Sequence, residues 1–451
     1  MTQSSALAIV LAAGKGTRMK SDLPKVLHRI AGAPMLAHVL QAGSAAGIAR
    51  GCLVVGPNME AVGEAGQAVD AGLDVFVQPE QLGTADAVKA ALPALEAGQG
   101  PILVLYGDTP LLRAETLKAV VGELDAGADL VVVGFEADDP TGYGRLLFDE
   151  EGRLAGIREE KDASTAERAL TLCNSGIVAF RSGETLKTLL ARIGNDNAKG
   201  EYYLTDAVSL ARADGLHARV VLSNAEEVLG VNSRAELAVA EAAMQMRLRN
   251  VAMAHGVTLI APETVFFSYD TAIGRDVVIQ PNVIIGPGVT IDDGATIMGF
   301  CHFENARIGP GATVGPFARL RPGAELAKNA HVGNFVEIKN AHVHEGAKVN
   351  HLTYIGDASV GAKANIGAGT ITCNYDGFAK HRTEIGEGAF IGSNSSLVAP
   401  VKVGDGAFVG SGSVVTKDVP EDALAVSRVP QQNHEGWAGK VRARRTRDKS
   451  K

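Results

Sequence analysis

The chain has 451 residues, of which 46% are apolar and 21% charged, with 53 glycines. It is too long for one ordinary domain and too apolar to stay disordered. A net charge of −8, an aromatic share of 5% and a single tryptophan, Trp437, argue against a polyanion binder or a base-stacking nucleic-acid platform.

The N-terminal apolar run, Ala6 to Ala13, lacks a preceding basic segment, and no later apolar stretch is long enough to span a bilayer. The four cysteines, at 52, 173, 301 and 373, are too dispersed for a CxxC site. A reduced, soluble, cytoplasmic protein is expected. The first half then alternates two kinds of segment. LAIVLAAG (7–14), GCLVVG (51–56), PILVLYGD (101–108) and ADLVVVGFE (128–136) predict strands; PMLAHVLQAGSAAG (34–47), TADAVKAALPALEAG (84–98) and TLKAVVGELDAG (116–127) predict helices. Such alternation implies an α/β domain whose parallel sheet is covered on both faces, with ligands gathering at the carboxyl ends of its strands. The loop LAAGKGTRMKSDLPK (11–25) and the turn YGD (106–108) fall at those ends. The loop is not a P-loop, because Gly16 follows the GK pair, nor a dinucleotide fingerprint, because Met19 fills the last glycine slot. Asp108, ahead of Thr109 and Pro110, stands where a helix N-cap would.

At Ser233 the pattern changes. SRAELAVAEAAMQMRLRNVAMAHG (233–256) has no internal Gly or Pro, places Ser233 and Glu236 at capping-box spacing, and ends on Gly256. One long linker helix is predicted. Beyond it aliphatic residues recur every six positions: Ile273, Ile279, Ile285, Ile291 and Ile297, then Val314, Leu320, Leu326, Val332 and Ile338, then Val349 and Ile355, and from Ile385 through Ile391, Leu397, Val403 and Val409 to Val415. That period suits a coil of three short faces, about eighteen residues per turn, stacked into a solenoid. The series slips by one residue before Ile308 and again between Ile338 and Val349; the segment 370–383, TITCNYDGFAKHRT, breaks it and predicts a projecting loop. The tail KVRARRTRDKSK (440–451) reads as a solvated, mobile terminus.

Register within the repeat predicts neighbours. Leu320 and Ile338 lie eighteen residues apart and should stack, bringing their followers Arg321 and Lys339 within about 4.8 Å. Opposed like charges suggest an anion in front of them. The shortened next coil puts Ile355 under Ile338 and Tyr354 under Glu337, with His351 three positions earlier. Two cations, a histidine and a tyrosine suit a site that binds a phosphorylated substrate and moves a proton.

Across residues 1 to about 437, the motifs LAAGKGTRM…LPKVLH, QLGTADAV, YGDTPLL, VNHLTY, NIGAGTITCNYDG and SRVPQ occur in order. With them the chain closely resembles the bacterial GlmU family of bifunctional N-acetylglucosamine-1-phosphate uridyltransferases/glucosamine-1-phosphate N-acetyltransferases. The resemblance implies a Rossmann-like nucleotidyltransferase domain (1–232), a helical linker (233–256), a left-handed parallel β-helix acetyltransferase domain (257–437) and a basic C-terminal tail (438–451), assembled as a homotrimer with acetyltransferase sites between neighbouring subunits. Handedness rests on the resemblance alone, since parallel crossovers are ordinarily right-handed. The implied reactions acetylate glucosamine 1-phosphate with acetyl-CoA, then transfer UMP from UTP to N-acetylglucosamine 1-phosphate. They yield pyrophosphate and UDP-N-acetylglucosamine, a precursor for peptidoglycan and lipopolysaccharide. In the first domain Leu11, Ala12, Ala13 and Gly14 match the nucleotide-holding turn, and Arg18 and Lys25 the catalytic cations. Gln78, Gly83 and Thr84 match the uracil-reading loop, with Tyr106 and Gly107 alongside; Gly144, Glu159 and Asn174 match the sugar contacts, and Asp108 and Asn232 the Mg²⁺ ligands. In the β-helix His351 matches the general base. Arg321, Lys339, Tyr354 and Asn365 match the sugar-phosphate pocket. Ala368, Asn374, Tyr375, Ser393 and Arg428 match acetyl-CoA contacts, as does Ser411, where relatives often carry Ala and the contact runs through backbone. Glu337, stacked on Tyr354, is expected to tune the His351 region. Two rival readings remain: a β-helix that only oligomerises or binds effectors, and a non-catalytic scaffold subunit.

Overall fold

A computed structural model of the chain describes residues 4–95 and 100–449. It divides into two compact units, Met1–Leu248 and Arg249–Lys451.

The first unit is built on a nine-stranded sheet. Its strands, numbered in chain order, are β1 Ser4–Leu11, β2 Ile48–Val55, β3 Asp74–Val77, β4 Ile102–Tyr106, β5 Leu130–Glu136, β6 Gly144–Phe148, β7 Leu154–Arg158, β8 Leu172–Phe180 and β9 Ala218–Leu222. The spatial order is β9-β5-β8-β4-β1-β2-β3, with β6 on β8 and β7 on β6. β1 is parallel to β2 and β4, and β5 to β9. The sheet is nevertheless mixed, because β8 runs antiparallel between β4 and β5. Alternation of strands and helices did not predict this strand, since LCNSGIVAF reads the same in either direction. Both faces of the sheet are buried, as expected. Ala6, Ala8 and Val10 of β1 enter one apolar core; Leu7, Ile9 and Leu11 enter the other. The helix predicted over 84–98 stops at Ala90 and gives way to a 3₁₀ turn, Leu92–Ala94, because Pro93 cannot continue it; residues 96–98 lie outside the described residues.

The long helix spans Arg234–Ala254 and runs across the division between units. Gly256, at φ 95°, closes it. Its first half does more than link: Ala240, Ala243 and Met244 pack with Ile30, Met35 and Leu111 in a third apolar cluster of the first unit.

The second unit is a parallel β-helix. One face stacks ten short strands, from Thr258–Leu259 to Leu424–Ala425, in parallel ladders; the other two faces share a sheet because Glu337–Val343 and Tyr354–Val360 turn a corner without breaking. The six-residue rows are the core: Ile279, Ile297, Val314, Ile338, Ile355 and Ile391 are fully buried, and Phe303 takes an aliphatic slot without leaving the row. Leu320 pairs with Ile338, Ile338 with Ile355, and Glu337 with Tyr354, which is the register read from spacing. The projecting loop is shorter than predicted. Ile371–Cys373 and Thr383–Ile385 remain in the ladders, and Thr370, Thr372 and Thr383 are buried, so only residues 374–382 leave the coil. In the tail Trp437–Lys449 form a helix, largely exposed as far as Arg447, for which Ala, Lys and Arg have good propensity. No helix among the described residues is long and apolar enough to cross a membrane.

Two candidate active sites

At the carboxyl ends of β1 and β4 the first unit opens a cavity of about 290 Å³. Its lining includes Leu11, Ala12, Ala13, Gly14, Lys25, Gln78, Gly83, Thr84, Tyr106 and Asp108, ten of the residues singled out from the sequence. The loop that forms its floor needs glycine at 16: φ is 59°, and a Cβ there would lie 2.6 Å from Lys25 Cβ. Met19, in the slot where a dinucleotide loop keeps glycine, is buried and anchors the loop from below. Gly83 likewise has φ 125° and sits against the Tyr202 backbone, where a Cβ would come within 2.5 Å of the carbonyl oxygen. Gln78 donates from Nε2 to the Gly83 carbonyl at 3.2 Å and to Asp86 at 2.7 Å, so its amide is held in one orientation.

Lys25 organises the open end of the cavity. Its ammonium bridges the Asp108 carboxylate and Asn232 Oδ1, the latter at 2.9 Å. Asp108 is therefore not a helix cap; the helix that follows, Ala114–Asp125, begins six residues later behind Arg113. Two hard oxygens already converge on a cation, so Asp108 and Asn232 fit a divalent ion. Among the described residues no cluster of three or more His, Cys, Asp or Glu is arranged to hold a metal, so phosphates and water would supply further ligands. The capping box at the long helix is displaced by one residue. Ser233 Oγ accepts from Glu236 N, as expected, but the Glu236 carboxylate accepts from the backbone N–H of Asn232, at 2.6 Å, and clamps that residue.

Gly144, Glu159 and Asn174 form a second group beside this cavity, outside its lining. Gly144 pairs with Asn174 across β6 and β8, and a Cβ on Gly144 would lie 3.1 Å from Ile157 Cγ2 and 3.6 Å from Glu159 Oε1. Burial raises the Glu159 pKa, opposed by a hydrogen bond from Thr205 and by Lys199, and reinforced by Asp162 and Asp206. Gly107 is packed under Ala12 and Val26 rather than open to the cavity, and Arg18 is exposed on the loop. The sequence reading missed Gln81, which donates to the Ala13 carbonyl, and Glu201, which also lines the cavity.

The second unit assembles its polar residues along two neighbouring lines. On the first, Arg321 and Lys339 do stack, but an anion is not needed to explain them. Arg321 pairs with Glu337 at 2.8 Å and Lys339 with Asp357 at 3.6 Å, so each cation carries its own carboxylate. Glu337 is thereby committed to Arg321; His351 Nδ1 hydrogen-bonds to Asn334 Oδ1 instead. Asp357 also accepts from Asn340 Nδ2 at 2.6 Å and from Asn374, whose amide lies 3.5 Å from the Tyr354 hydroxyl. From the projecting loop Lys380 comes against Lys339, and that neighbour holds its ammonium pKa below the usual value. Tyr375, on the same loop, is exposed and donates to the Gly377 carbonyl. Asn365 sits in the ladder opposite Lys348.

The second line runs along one corner of the coil, joined by backbone hydrogen bonds. Gly369 N donates to the His351 carbonyl, Asn394 N to Ala368 and Gly412 N to Ser393, so His351, the 368–369 turn, Ser393 and the Ser411 turn follow one another on successive coils. Arg428 reaches back to the Ser411 carbonyl at 2.9 Å. Coils about 4.8 Å apart make this a line of about 14 Å, suited to an extended ligand. Asn334 and Asp357 were legible only in part. Asn334 lies at the same seventeen-residue offset that places Tyr354 under Glu337, but its bond depends on a rotamer that spacing does not set.

Residues 8–170 match the MobA-like NTP transferase domain, and residues 270–304 and 382–417 match the bacterial transferase hexapeptide (six repeats). The chain is 58% identical over 449 residues to a protein of Azorhizobium caulinodans and 59% identical over 449 residues to one of Xanthobacter autotrophicus, covering 100% of both chains in each case. It is 58% identical over 437 residues to one of Ruegeria sp., covering 97% of each chain. All three are described as bifunctional protein GlmU.

Proposed function

The chain belongs to the GlmU family of bifunctional proteins, and from that membership we infer a separate catalyst in each unit. It is a bifunctional enzyme that acetylates glucosamine 1-phosphate with acetyl-CoA and converts N-acetylglucosamine 1-phosphate and UTP into UDP-N-acetylglucosamine and pyrophosphate. We assign the uridyltransferase to residues 1–232 and the acetyltransferase to residues 257–437, joined by the linker helix 233–256 and followed by a basic tail, 438–451.

In the first site Leu11, Ala12, Ala13 and Gly14 hold the nucleotide, and Gln78, Gly83 and Thr84 read its base, with Tyr106 and Gly107 beneath. Gly144, Glu159 and Asn174 hold the acetylated sugar so that its phosphate oxygen lines up with the α-phosphorus. Lys25 and Arg18 take up the charge that shifts to pyrophosphate as it leaves. Such transfers need alignment and neutralised charge rather than a covalent intermediate. Asp108 and Asn232 would hold Mg²⁺, which supplies further neutralisation of the nucleotide phosphates.

In the second site Arg321, Lys339, Tyr354 and Asn365 receive the amino-sugar phosphate. Ala368, Asn374, Tyr375, Ser393, Ser411 and Arg428 hold acetyl-CoA along the corner. His351 takes the amine proton as nitrogen attacks the thioester carbonyl, and coenzyme A leaves as the thiol. We place the enzyme in the cytoplasm as a homotrimer. A stack of exposed rings on one corner of the coil, Phe300, Phe317 and Phe335 with centroids 4.9 and 5.1 Å apart, supports self-association.

The observation that carries this reading is that each unit gathers its polar groups from distant stretches of its own sequence: 25, 108 and 232 in one, 321 to 428 in the other. Separate half-reaction assays test it. Asp108→Asn should abolish pyrophosphate release from UTP while sparing thioester consumption, and His351→Ala should do the converse. Loss of both activities in either variant would overturn the separation.

A further inference from the structure

His351 ends the strand Lys348–His351 and lies directly opposite Asn334, the last residue of His331–Asn334 one coil earlier. Its Nδ1 stands 2.6 Å from Asn334 Oδ1. An amide oxygen only accepts, so Nδ1 must carry hydrogen; a neutral imidazole carries one, which leaves the lone pair on Nε2. The backbone of His351 is fixed as well, its carbonyl accepting from Thr353 Oγ1 at 2.6 Å and from Gly369 N at 3.2 Å. We propose that Asn334 is a positioning residue for acetyl transfer: its side-chain oxygen holds His351 in the Nδ1–H tautomer and leaves Nε2 as the atom that accepts the proton of the attacking amine.

The proposal rests on His351 being the base. A neutral partner suits that task. A carboxylate at 334 would orient the ring equally well but would also stabilise the imidazolium, and the base would retain a proton at higher pH. The other charged and titratable groups on the two strands are His331 and Lys348. His331 has its own pKa lowered by burial first, then by Lys348 and by His351. Glu337, the nearest carboxylate suggested by spacing, is taken by Arg321. No acidic side chain therefore competes with the amide of Asn334 for Nδ1 among the described contacts of His351.

Nitrogen-15 NMR of the full-length, histidine-labelled protein tests this directly, with the His351 signals identified by their loss in His351→Ala. Wild type should show a protonated Nδ1 and a bare Nε2 above the imidazole transition. Asn334→Leu should redistribute the proton toward Nε2 and lower kcat for acetyl transfer by about 10- to 100-fold, part of what a placed general base contributes. KM for both substrates should stay within about twofold, and uridyl transfer should be unchanged, which also reports a folded chain. Asn334→Asp should keep the Nδ1–H signature, recover part of kcat and move the acid limb of the rate profile to higher pH. An Asn334→Leu protein that keeps the wild-type tautomer, or keeps its kcat, overturns the proposal. If His351→Ala itself acetylates normally, the base assignment fails first, whatever Asn334 does.

Discussion

The carboxylate of Asp357 collects Asn340, Asn374 and Lys339, and so ties the projecting loop to two coils of the β-helix. Burial pushes its pKa up, but the two amide donors and the lysine outweigh burial and hold it below the usual carboxylate value. The folded pKa thus lies below the unfolded value of about 3.9, so the stability that Asp357 brings is present above that pH and lost as pH falls through the folded pKa. Asp357→Asn should remove this dependence. Its melting temperature should fall less steeply than that of wild type from about pH 5 to pH 3. Near neutrality the variant should be about 1–2 kcal/mol less stable, as expected when buried donors lose their acceptor. Scanning calorimetry across pH checks both outcomes. A variant with an unaltered acid slope would show that Asp357 does not anchor the loop.

Between elements, the most consequential joint is the start of the helix Arg234–Ala254. Ser233 caps that helix while Glu236 reaches past it to the backbone of Asn232, so the helix start holds the oxygen that meets Lys25. Glu236→Ala should weaken Mn²⁺ binding, read by electron paramagnetic resonance, and lower uridyl transfer by about 3- to 10-fold, the loss of roughly one good hydrogen bond. Acetyl transfer should not change. The capping spacing was visible in the sequence, but the extra reach of Glu236 was not, because a one-residue displacement of a side-chain bond leaves no periodic trace. The contrast with the β-helix is instructive. Its buried rows, the pairing of Leu320 with Ile338 and the place of Tyr354 under Glu337 all follow from counting by six, because every sixth side chain must point inward. Counting could not see that Glu337 would turn to Arg321, that Asp357 would anchor Lys339, or that β8 would run antiparallel; those outcomes depend on rotamers and strand direction.

At the scale of the whole molecule, the exposed ring stack of Phe300, Phe317 and Phe335, each at a positive φ on the corner of the coil, is an apolar feature that calls for a cover. Phe317→Glu should shift the proposed trimer toward monomer in multi-angle light scattering. It should depress acetyl transfer while leaving uridyl transfer within about twofold, because only the former is expected to need neighbouring subunits. A Phe317→Glu protein that remains trimeric would move the interface to another face.

The central claim, two independent catalysts on one chain, is tested most directly by complementation. Glucosamine 1-phosphate, acetyl-CoA, UTP and Mg²⁺ are supplied to Asp108→Asn alone, to His351→Ala alone, and to an equal mixture, and UDP-N-acetylglucosamine is followed by phosphorus NMR. The account predicts no product from either variant alone, accumulation of N-acetylglucosamine 1-phosphate with Asp108→Asn, and product from the mixture. Product from His351→Ala alone, or none from the mixture, would contradict it.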